Sequence, residues 1–229
     1  MKDSIFCICL GNNCGNLNGS KNDSIIFYNY ISNLSENDKL KEKWLKPNIL
    51  FDSNVAVNNI KNLINKNSFS KLLIYYSGHG YSNGNLNIYD SNNCIINYNS
   101  LIREINSVLK NDIELYIILD SCYSGCTNTV PFQRIKKINI LTSSNCKQTS
   151  SESITGINNL PLKIKYHIAD LSITKKNLVV GVFTFNLVEQ LVKLNIKEIS
   201  NFKDVFKINK ETWETIRIIS KQFPKIIWN

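Results

Sequence analysis

The chain has 229 residues, of which 43% are hydrophobic and 20% charged, so it is long enough for a substantial core and too apolar for a disordered protein. The formal net charge is +9, but the lysines are scattered without a dense basic run, so nucleic acid is not expected as a partner. No apolar stretch is long enough to cross a membrane, so no membrane-spanning segment is expected.

The first ten residues and the cysteines give an expectation for the cellular compartment of the protein. The apolar stretch near the N-terminus is too short for a secretory signal, so it predicts a buried strand and a cytoplasmic protein. There are seven cysteines, an odd number, and because disulfide frameworks are typical of smaller secreted domains, most are expected to be reduced. Cys7 and Cys9 alternate with apolar residues, and together with Cys14 they lack the usual spacing of metal ligands. We therefore expect no metal and no cofactor.

Apolar runs alternate with amphipathic segments over the first two thirds of the chain. Strands are expected where the runs are short and apolar, and helices where apolar residues recur on one face. In chain order, the predicted elements are a strand at 3–10, a loop at 12–19, a helix at 21–34, a strand at 47–52, a helix from 53 or 54 to 64, a strand at 71–76, a polar loop or small hairpin at 82–93, a helix at 101–109, and strands at 114–119 and 138–143.

The last third of the chain begins with a polar segment, 145–177, which predicts a long surface loop of the kind that often carries function. A helix at 182–194, one or two helices within 198–221 and an extended segment at 224–228 follow. Alternating strands and helices predict an α/β fold with a mostly parallel central sheet, flanked by helices on both faces. We expect residues 1–229 to form a single domain.

Two short motifs close two of the predicted core strands. Ser77-Gly78-His79-Gly80 follows the first strand, and Asp120-Ser121-Cys122-Tyr123-Ser124-Gly125 follows the second. The carboxyl ends of parallel strands are where ligands bind in open α/β sheets. A cysteine and a histidine brought together there can serve as a nucleophile and its general acid/base. His79 precedes Cys122 by 43 residues, close to the spacing in caspases.

Further segments occur in an order that strengthens this comparison. The whole set, spanning residues 3–225, resembles the caspase-like cysteine peptidases, and within them metacaspases and their bacterial relatives more than animal caspases, whose Gln-Ala-Cys motif is lacking. The additional segments are Leu17-Asn18-Gly19-Ser20-Lys21-Asn22-Asp23, Ile140-Leu141-Thr142-Ser143-Ser144 with Gln148 and Glu152, Gly181-Val182-Phe183-Thr184-Phe185, and Gln222-Phe223-Pro224.

The resemblance implies a caspase-like fold and a cysteine endopeptidase with a Cys-His dyad. Cys122 would be the nucleophile and His79 the general acid/base, while the backbone N–H groups of Gly80 and Cys122 would form the oxyanion hole. Cys126 lies off the matched position and is expected to be a loop thiol. His167, the other histidine, lies outside every matched motif.

The resemblance also implies the specificity. Asp23 and Asp120, with Ser77 beside them, occupy the positions of the acidic pocket of metacaspases, so cleavage after Arg or Lys is expected. Ser20, where the family often has Cys, should alter the shape of the pocket without removing charge. Tyr123, where many members have His, is expected to matter little. Because only Asp90 follows the histidine motif in place of an acidic cluster, and 127–129 holds no acid, no calcium requirement is expected.

By the same resemblance, the loop 145–177 divides the domain into a large-subunit-like part, about 1–144, and a small-subunit-like part, about 178–229. If the pocket accepts basic residues, the loop is a candidate for self-cleavage, and the resemblance to metacaspases favours a monomer. The lysines available in the loop are Lys147, Lys163, Lys165, Lys175 and Lys176.

Three alternatives remain at this level. A catalytically silent caspase-like module would act as a regulator or scaffold, although both candidate catalytic residues and both pocket acids are present. A basic nucleic-acid binder would need a clustered Lys/Arg stripe, which the chain lacks. Peptidases of the legumain and gingipain type share the His-Gly and Cys arrangement, but the segments at Leu17–Asp23 and Gly181–Phe185 favour metacaspases.

Overall fold

The computed structural model describes residues 3–127, 130–156, 159, 177–208, 210–220, 222 and 224–228. A central sheet and two small antiparallel sheets contain the strands. The strands are β1 (Ser4–Gly11), β2 (Lys43–Trp44), β3 (Asn48–Phe51), β4 (Lys71–Ser77), β5 (Asn85–Tyr89), β6 (Ile95–Asn97), β7 (Ile113–Asp120), β8 (Ile135–Thr142), β9 (Glu152–Gly156), β10 (Asn177–Gly181) and β11 (Lys225–Ile227). The α-helices are α1 (Ser20–Ser35), α2 (Val57–Lys66), α3 (Tyr98–Val108), α4 (Val182–Lys193), α5 (Val205–Ile208) and α6 (Lys210–Ser220).

The central sheet has the strand order β11-β8-β7-β4-β1-β2, and β3 also pairs with β1. All of its pairings are parallel except that of β11, which runs antiparallel to β8. Parallel pairing requires crossover connections, and the helices that make them cover both faces of the sheet. The predicted α/β fold with a mostly parallel sheet between helices is thus confirmed.

Each central strand contributes alternate side chains to two hydrophobic cores. In β1, Ile5, Cys7 and Cys9 pack on the side of α1 and α4. Phe6, Ile8 and Leu10 pack on the side of α2 and α3. Because both faces are buried, the strand is apolar throughout, as is typical of parallel sheets. Cys7 and Cys9 lie on one face of the strand, as predicted, whereas Cys14 is exposed in the following loop.

The structure departs from the predicted elements mainly at short or polar strands. The two-residue strand β2 was not predicted, and the polar segment expected to be a loop at 145–177 contains β9, which pairs antiparallel with β10. The expected small hairpin is present as β5 and β6, although its second strand lies beyond residue 93. In the described part of the chain, no helix is both long and apolar enough to span a membrane.

Candidate active site

Strands β4 and β7 bring the two sequence motifs to one edge of the sheet. The strands are parallel neighbours, and Ser77 pairs with Asp120 at their carboxyl ends. His79 and Cys122 each follow two residues later, so both lie at this edge, and both are half-buried. Within the described residues no hydrogen bond joins the two side chains. Catalytic hydrogen bonds are often long in unliganded structures and shorten when substrate binds.

Hydrogen bonds from side chains to backbone carbonyl oxygens hold His79 and its turn in place. Its Nε2 lies 2.8 Å from the carbonyl oxygen of Cys14. Because a carbonyl oxygen only accepts hydrogen bonds, this contact assigns the proton to Nε2 and leaves Nδ1 of the neutral ring as an acceptor. The hydroxyl of Tyr76 donates to the carbonyl oxygen of His79 at 2.7 Å, and a Cβ atom at Gly78 would collide with the Tyr76 ring. The imidazole is therefore oriented with one nitrogen free to accept a proton.

Hydrogen bonds join the loop after Cys122 to the loop after β8. Tyr123 has a positive φ of 55°, and its N–H donates to the carbonyl oxygen of Gln148 at 2.7 Å. The N–H of Ser124 donates to the hydroxyl of Ser144 at 3.2 Å. A left-handed backbone is unfavourable for a tyrosine, so these contacts are needed to hold the turn that presents Cys122.

A disulfide joins Cys126 to Cys146 across the same two loops. The prediction that Cys126 is a loop thiol is therefore wrong: the close approach of the loops brings the two cysteines together, and their separation of 20 residues gave no sign of it. The free cysteines of the described chain are Cys7, Cys9, Cys14, Cys94 and Cys122. Disulfides are rare in reducing compartments, so this pair weighs against the predicted cytoplasmic location, which stays a prediction.

Gly80 lies directly against the backbone of Cys122. A Cβ atom at Gly80 would overlap the carbonyl oxygen of Cys122 and approach Ser121 Oγ to 2.8 Å, so only glycine fits. Within the described residues, neither the N–H of Gly80 nor that of Cys122 donates a hydrogen bond. Two unengaged N–H groups beside a cysteine are what an oxyanion hole requires.

The three predicted pocket residues line one cavity together with Cys122. Ser77 Oγ donates to Asp23 Oδ2 at 2.8 Å, across the junction of β4 and α1. Asp23 and Asp120 are only 1% and 4% exposed. Burial raises the pKa of both carboxyl groups, and the charge of Asp120 raises that of Asp23 further. The site thus contains two acids that share one buried environment.

Sequence reasoning had assigned no role in the pocket to several residues that contact these acids. The N–H of Gly181 donates to Asp23 Oδ1 at 2.7 Å. Asp120 accepts from Ser150 Oγ at 2.6 Å and from Thr184 Oγ1 at 2.7 Å. Gly181 and Thr184 belong to one of the quoted family-like segments, so a signal for them existed. Ser150 lies within the segment expected to be a loop, two residues before Glu152, which was among the residues quoted for the family resemblance.

These residues enclose a small cavity of about 30 Å³ next to Cys122. Among the described residues that line it, three are acidic and none is basic. Three consecutive residues, Ser150, Ser151 and Glu152, are among those that line it, and we call this segment the strap. The cavity is small, with room for about one water molecule.

Asp90, the acid considered as a metal ligand, is hydrogen-bonded within its own turn. Asp90 caps the turn between β5 and β6, where its Oδ1 accepts from the N–H groups of Asn92 and Cys94 at 2.8 and 2.9 Å. Within the described residues, no group of three or more His, Cys, Asp or Glu side chains is arranged to hold a metal ion. His167 and the loop lysines from Lys163 onward lie outside the described residues.

Comparison with known proteins gives the following matches. The sequence model of the Peptidase C13 family matches residues 34–164, more than half of the chain. The crystal structure of caspase-1 from Spodoptera frugiperda superposes with a TM-score of 0.59 at 13% identity, covering 99% of this chain and 87% of that one. The structure of pro-sf-caspase-1 gives a TM-score of 0.47 at 10% identity, covering 99% and 91%. No curated protein sequence gives a significant match. At these identities the structural likeness is one of fold, and the fold is caspase-like.

Proposed function

The chain belongs to the Peptidase C13 family, and on that premise we propose that it is a cysteine endopeptidase that cleaves peptide bonds after Arg or Lys. The family supports the reaction class, while the closer likeness to metacaspases depends on the sequence motifs alone. The observation that carries the specificity is the pair of buried acids, Asp23 and Asp120, in a cavity beside Cys122 with no basic side chain among its described lining residues.

In the proposed reaction, Cys122 and His79 form the dyad. The Nδ1 atom of His79, left free by the contact between Nε2 and the Cys14 carbonyl, would accept the thiol proton. The thiolate would then attack the substrate carbonyl carbon, forming a C–S bond. His79 would return the proton to the leaving amine as the C–N bond breaks. Water would finally hydrolyse the acyl-enzyme and release the acid product and the free thiol.

The oxyanion would bind to the N–H groups of Gly80 and Cys122. Both groups lie next to the nucleophile, and neither donates a hydrogen bond within the described residues. Donors that are already in place cost little reorganisation when negative charge develops on the carbonyl oxygen. The glycine at position 80 supports this role because any side chain would push the two backbones apart.

Specificity for a basic side chain follows from the electrostatics of the pocket. Burying carboxylates without a cation is costly, and the raised pKa values of Asp23 and Asp120 reflect that cost. An ammonium or guanidinium group would offset it by pairing with both acids. A neutral or acidic side chain would leave them unpaired or add a further like charge, so peptides ending in Asp should be poor substrates.

We further propose that calcium is not required. Asp90, the one acid in the segment that follows the histidine motif, is occupied in its own turn. A hard cation needs several oxygen ligands, usually including carboxylates, and the candidate region supplies too few. Equal activity with calcium and with a chelator is the expected result.

The remaining predictions from the sequence stay proposals. Self-cleavage within 145–177 would separate the large-subunit-like and small-subunit-like parts of the single domain, and the active form would be a monomer. Lys147 is exposed and available for this cleavage. Intact mass of the active protein beside its Cys122→Ala variant tests the idea, and identical full-length masses would rule it out.

The experiment that tests the function is covalent trapping. Peptide chloromethyl ketones ending in Arg or Asp are incubated with the parent protein, Cys122→Ala and Cys94→Ser, and the adducts are mapped by mass spectrometry. We expect the Arg reagent to modify Cys122 in the parent and in Cys94→Ser, and the Asp reagent to react far more slowly. Absence of any adduct at Cys122 would favour a catalytically silent module that regulates or scaffolds other proteins.

A further inference from the structure

Lys225, in the last strand of the sheet, contacts the loop that presents Cys122, and the proposed reaction assigns it no task. Its Nζ donates to the carbonyl oxygen of Gly125 at 2.9 Å and to that of Thr127 at 3.1 Å. Both carbonyls belong to residues 121–127, which we call the nucleophile loop. The side chain therefore connects β11 to the nucleophile loop across a sequence separation of 100 residues from Gly125.

The ammonium group of Lys225 has backbone carbonyls as its partners instead of carboxylates. In the described part of the chain, several lysines form ion pairs with Asp or Glu, and Lys225 belongs to none of these pairs. The residue is half-buried, so its charge is partly withdrawn from water. Such a group needs good acceptors, and hydrogen bonds from a charged donor are stronger than those from a neutral one. The two carbonyls are therefore firmly held.

The two carbonyls flank Cys126, the residue that a disulfide joins to Cys146. The two loops that meet there are in close contact, because a Cβ atom at Gly125 would lie 2.6 Å from the Cα atom of Asn145. Lys225 thus holds, from β11, the same part of the nucleophile loop that the disulfide holds from the loop after β8. The end of the nucleophile loop has two independent attachments.

The backbone of Lys225 is fixed to residues that support the start of the nucleophile loop. Its N–H donates to Thr142 Oγ1 at 3.1 Å, and that hydroxyl donates to the carbonyl oxygen of Ser144 at 2.9 Å. The hydroxyl of Ser144 donates to the carbonyl oxygen of Ser121 at 3.0 Å and accepts from the N–H of Ser124. Hydrogen bonds thus run from β11 to residues on both sides of the nucleophile.

The nucleophile loop needs these attachments because one of its residues has an unfavourable conformation. Tyr123, directly after Cys122, has a φ of 55°, and a bulky side chain disfavours this left-handed region. Removing an attachment allows the loop to relax, and the thiol then moves with it. A displacement of about 1 Å in a reacting group can lower a rate about 100-fold.

We propose that Lys225 is a positioning residue for Cys122, an inference that rests on the proposed function. Its ammonium group holds the carbonyls of Gly125 and Thr127 and thereby keeps the thiol where it can attack the substrate carbonyl carbon. It acts through the backbone of the nucleophile loop. Loss of the ammonium group should slow acylation and leave substrate binding unchanged, because other residues hold the pocket acids.

The test makes two measurements on Lys225→Met, which keeps a long side chain and removes the ammonium group. With the chloromethyl ketone ending in Arg, the maximal rate of Cys122 modification should fall about tenfold, because the disulfide still holds the loop. The reagent concentration that gives half of this rate should change less than about twofold. Hydrogen exchange measured by mass spectrometry should be at least about tenfold faster in residues 121–127. Lys225→Arg keeps a charged donor and should restore most of both properties.

Lys136→Met is the matched control, because Lys136 is an exposed lysine on β8 that pairs with Asp112. It should change neither measurement. Unchanged exchange in residues 121–127 of Lys225→Met would overturn the inference. Faster exchange with an unchanged maximal rate would also overturn it, because Lys225 would then only stabilise the loop. Both results leave the proposed function intact, whereas a parent protein whose Cys122 is not modified by the Arg reagent would refute the proposed function itself.

Discussion

Gly181 lies directly against the carboxylate of Asp120. A Cβ atom at Gly181 would overlap Asp120 Oδ2 and lie 2.8 Å from Asp23 Oδ2. The same glycine donates its N–H to Asp23 Oδ1. One small residue after the segment 145–177 thus sets the spacing of the two buried acids, which links the second part of the chain to the proposed specificity.

Replacing Gly181 should therefore damage the pocket selectively. We expect Gly181→Ala to lower kcat/KM for Arg and Lys peptides by at least about 100-fold, because the methyl group separates acids whose positions must match the substrate closely. Steady-state kinetics measures the loss, and circular dichroism checks that the fold is kept. Ile154→Ala, at a 68% exposed position on the neighbouring strand, is the control. Full activity in Gly181→Ala would show that the two acids do not form the pocket.

Gly80→Ala should reduce the rate of the chemical step more than substrate binding. The added Cβ atom would push the Gly80 N–H away from the Cys122 backbone, and loss of one oxyanion donor typically lowers kcat about 100- to 1000-fold. Burst-phase kinetics with an ester substrate would measure acylation directly. An effect confined to KM would contradict the assignment of Gly80 to the oxyanion hole.

The stability of the protein should depend on pH through the buried acids. An unfolded Asp releases its proton near pH 3.9, whereas Asp120 in the folded protein keeps its proton to a higher pH because burial raises its pKa. Between those two values the folded state binds more protons, so the free energy of unfolding falls as pH rises. Asp120→Asn removes this ionisation and should stabilise the protein at pH 7 relative to the parent.

The gain should diminish as the pH falls toward the ordinary range of an aspartate, because burial raises the pKa of Asp120 and its carboxyl group then becomes neutral like the amide. Urea unfolding of the parent and Asp120→Asn at several pH values measures it, with Asp112→Asn at an exposed site as control. A gain that is equal at pH 4 and pH 7 would mean that ionisation of Asp120 has no part in it.

The Cys126–Cys146 disulfide should stabilise the loops that present Cys122. Its loop of 20 residues predicts a contribution of about 2–4 kcal/mol to the free energy of unfolding. In a Cys122→Ala background, which removes the proposed catalytic thiol, reductant or the double Cys126→Ser/Cys146→Ser change should lower the thermal midpoint. Cys94→Ser, at an exposed free cysteine, should not. Two freely alkylated thiols at 126 and 146 in the oxidised protein would contradict the pairing.

Much of the fold and the core of the site could be predicted because they depend on local patterns. The strands ending at Ser77 and Asp120 are continuous apolar runs closed by glycine-containing turns, which is what buried parallel strands look like in sequence. By contrast, β9 lies in a polar segment whose Ile154 is exposed, so no hydrophobic periodicity marks it. Its strand conformation comes from pairing with β10, a partner separated from it in sequence by a long segment.

The supporting residues of the pocket were harder to foresee for a related reason. Ser150 and Thr184 act through single hydrogen bonds to Asp120, and no spacing rule connects residues so far apart in sequence. The disulfide is similar, because among seven cysteines the pairing of Cys126 with Cys146 becomes evident only when the two loops are seen to meet. Contacts between loops are determined by the tertiary structure, which local sequence patterns do not encode.

The most direct test of the account is the initial rate of hydrolysis of matched peptides ending in Arg, Lys or Asp. The parent, Cys122→Ala and Asp120→Ala would be compared, each with calcium and with a chelator. We predict cleavage after Arg and Lys that is abolished in Cys122→Ala, greatly reduced in Asp120→Ala and unchanged by the chelator. Cleavage after Asp in preference to Arg and Lys would contradict the claim that two buried acids define the specificity.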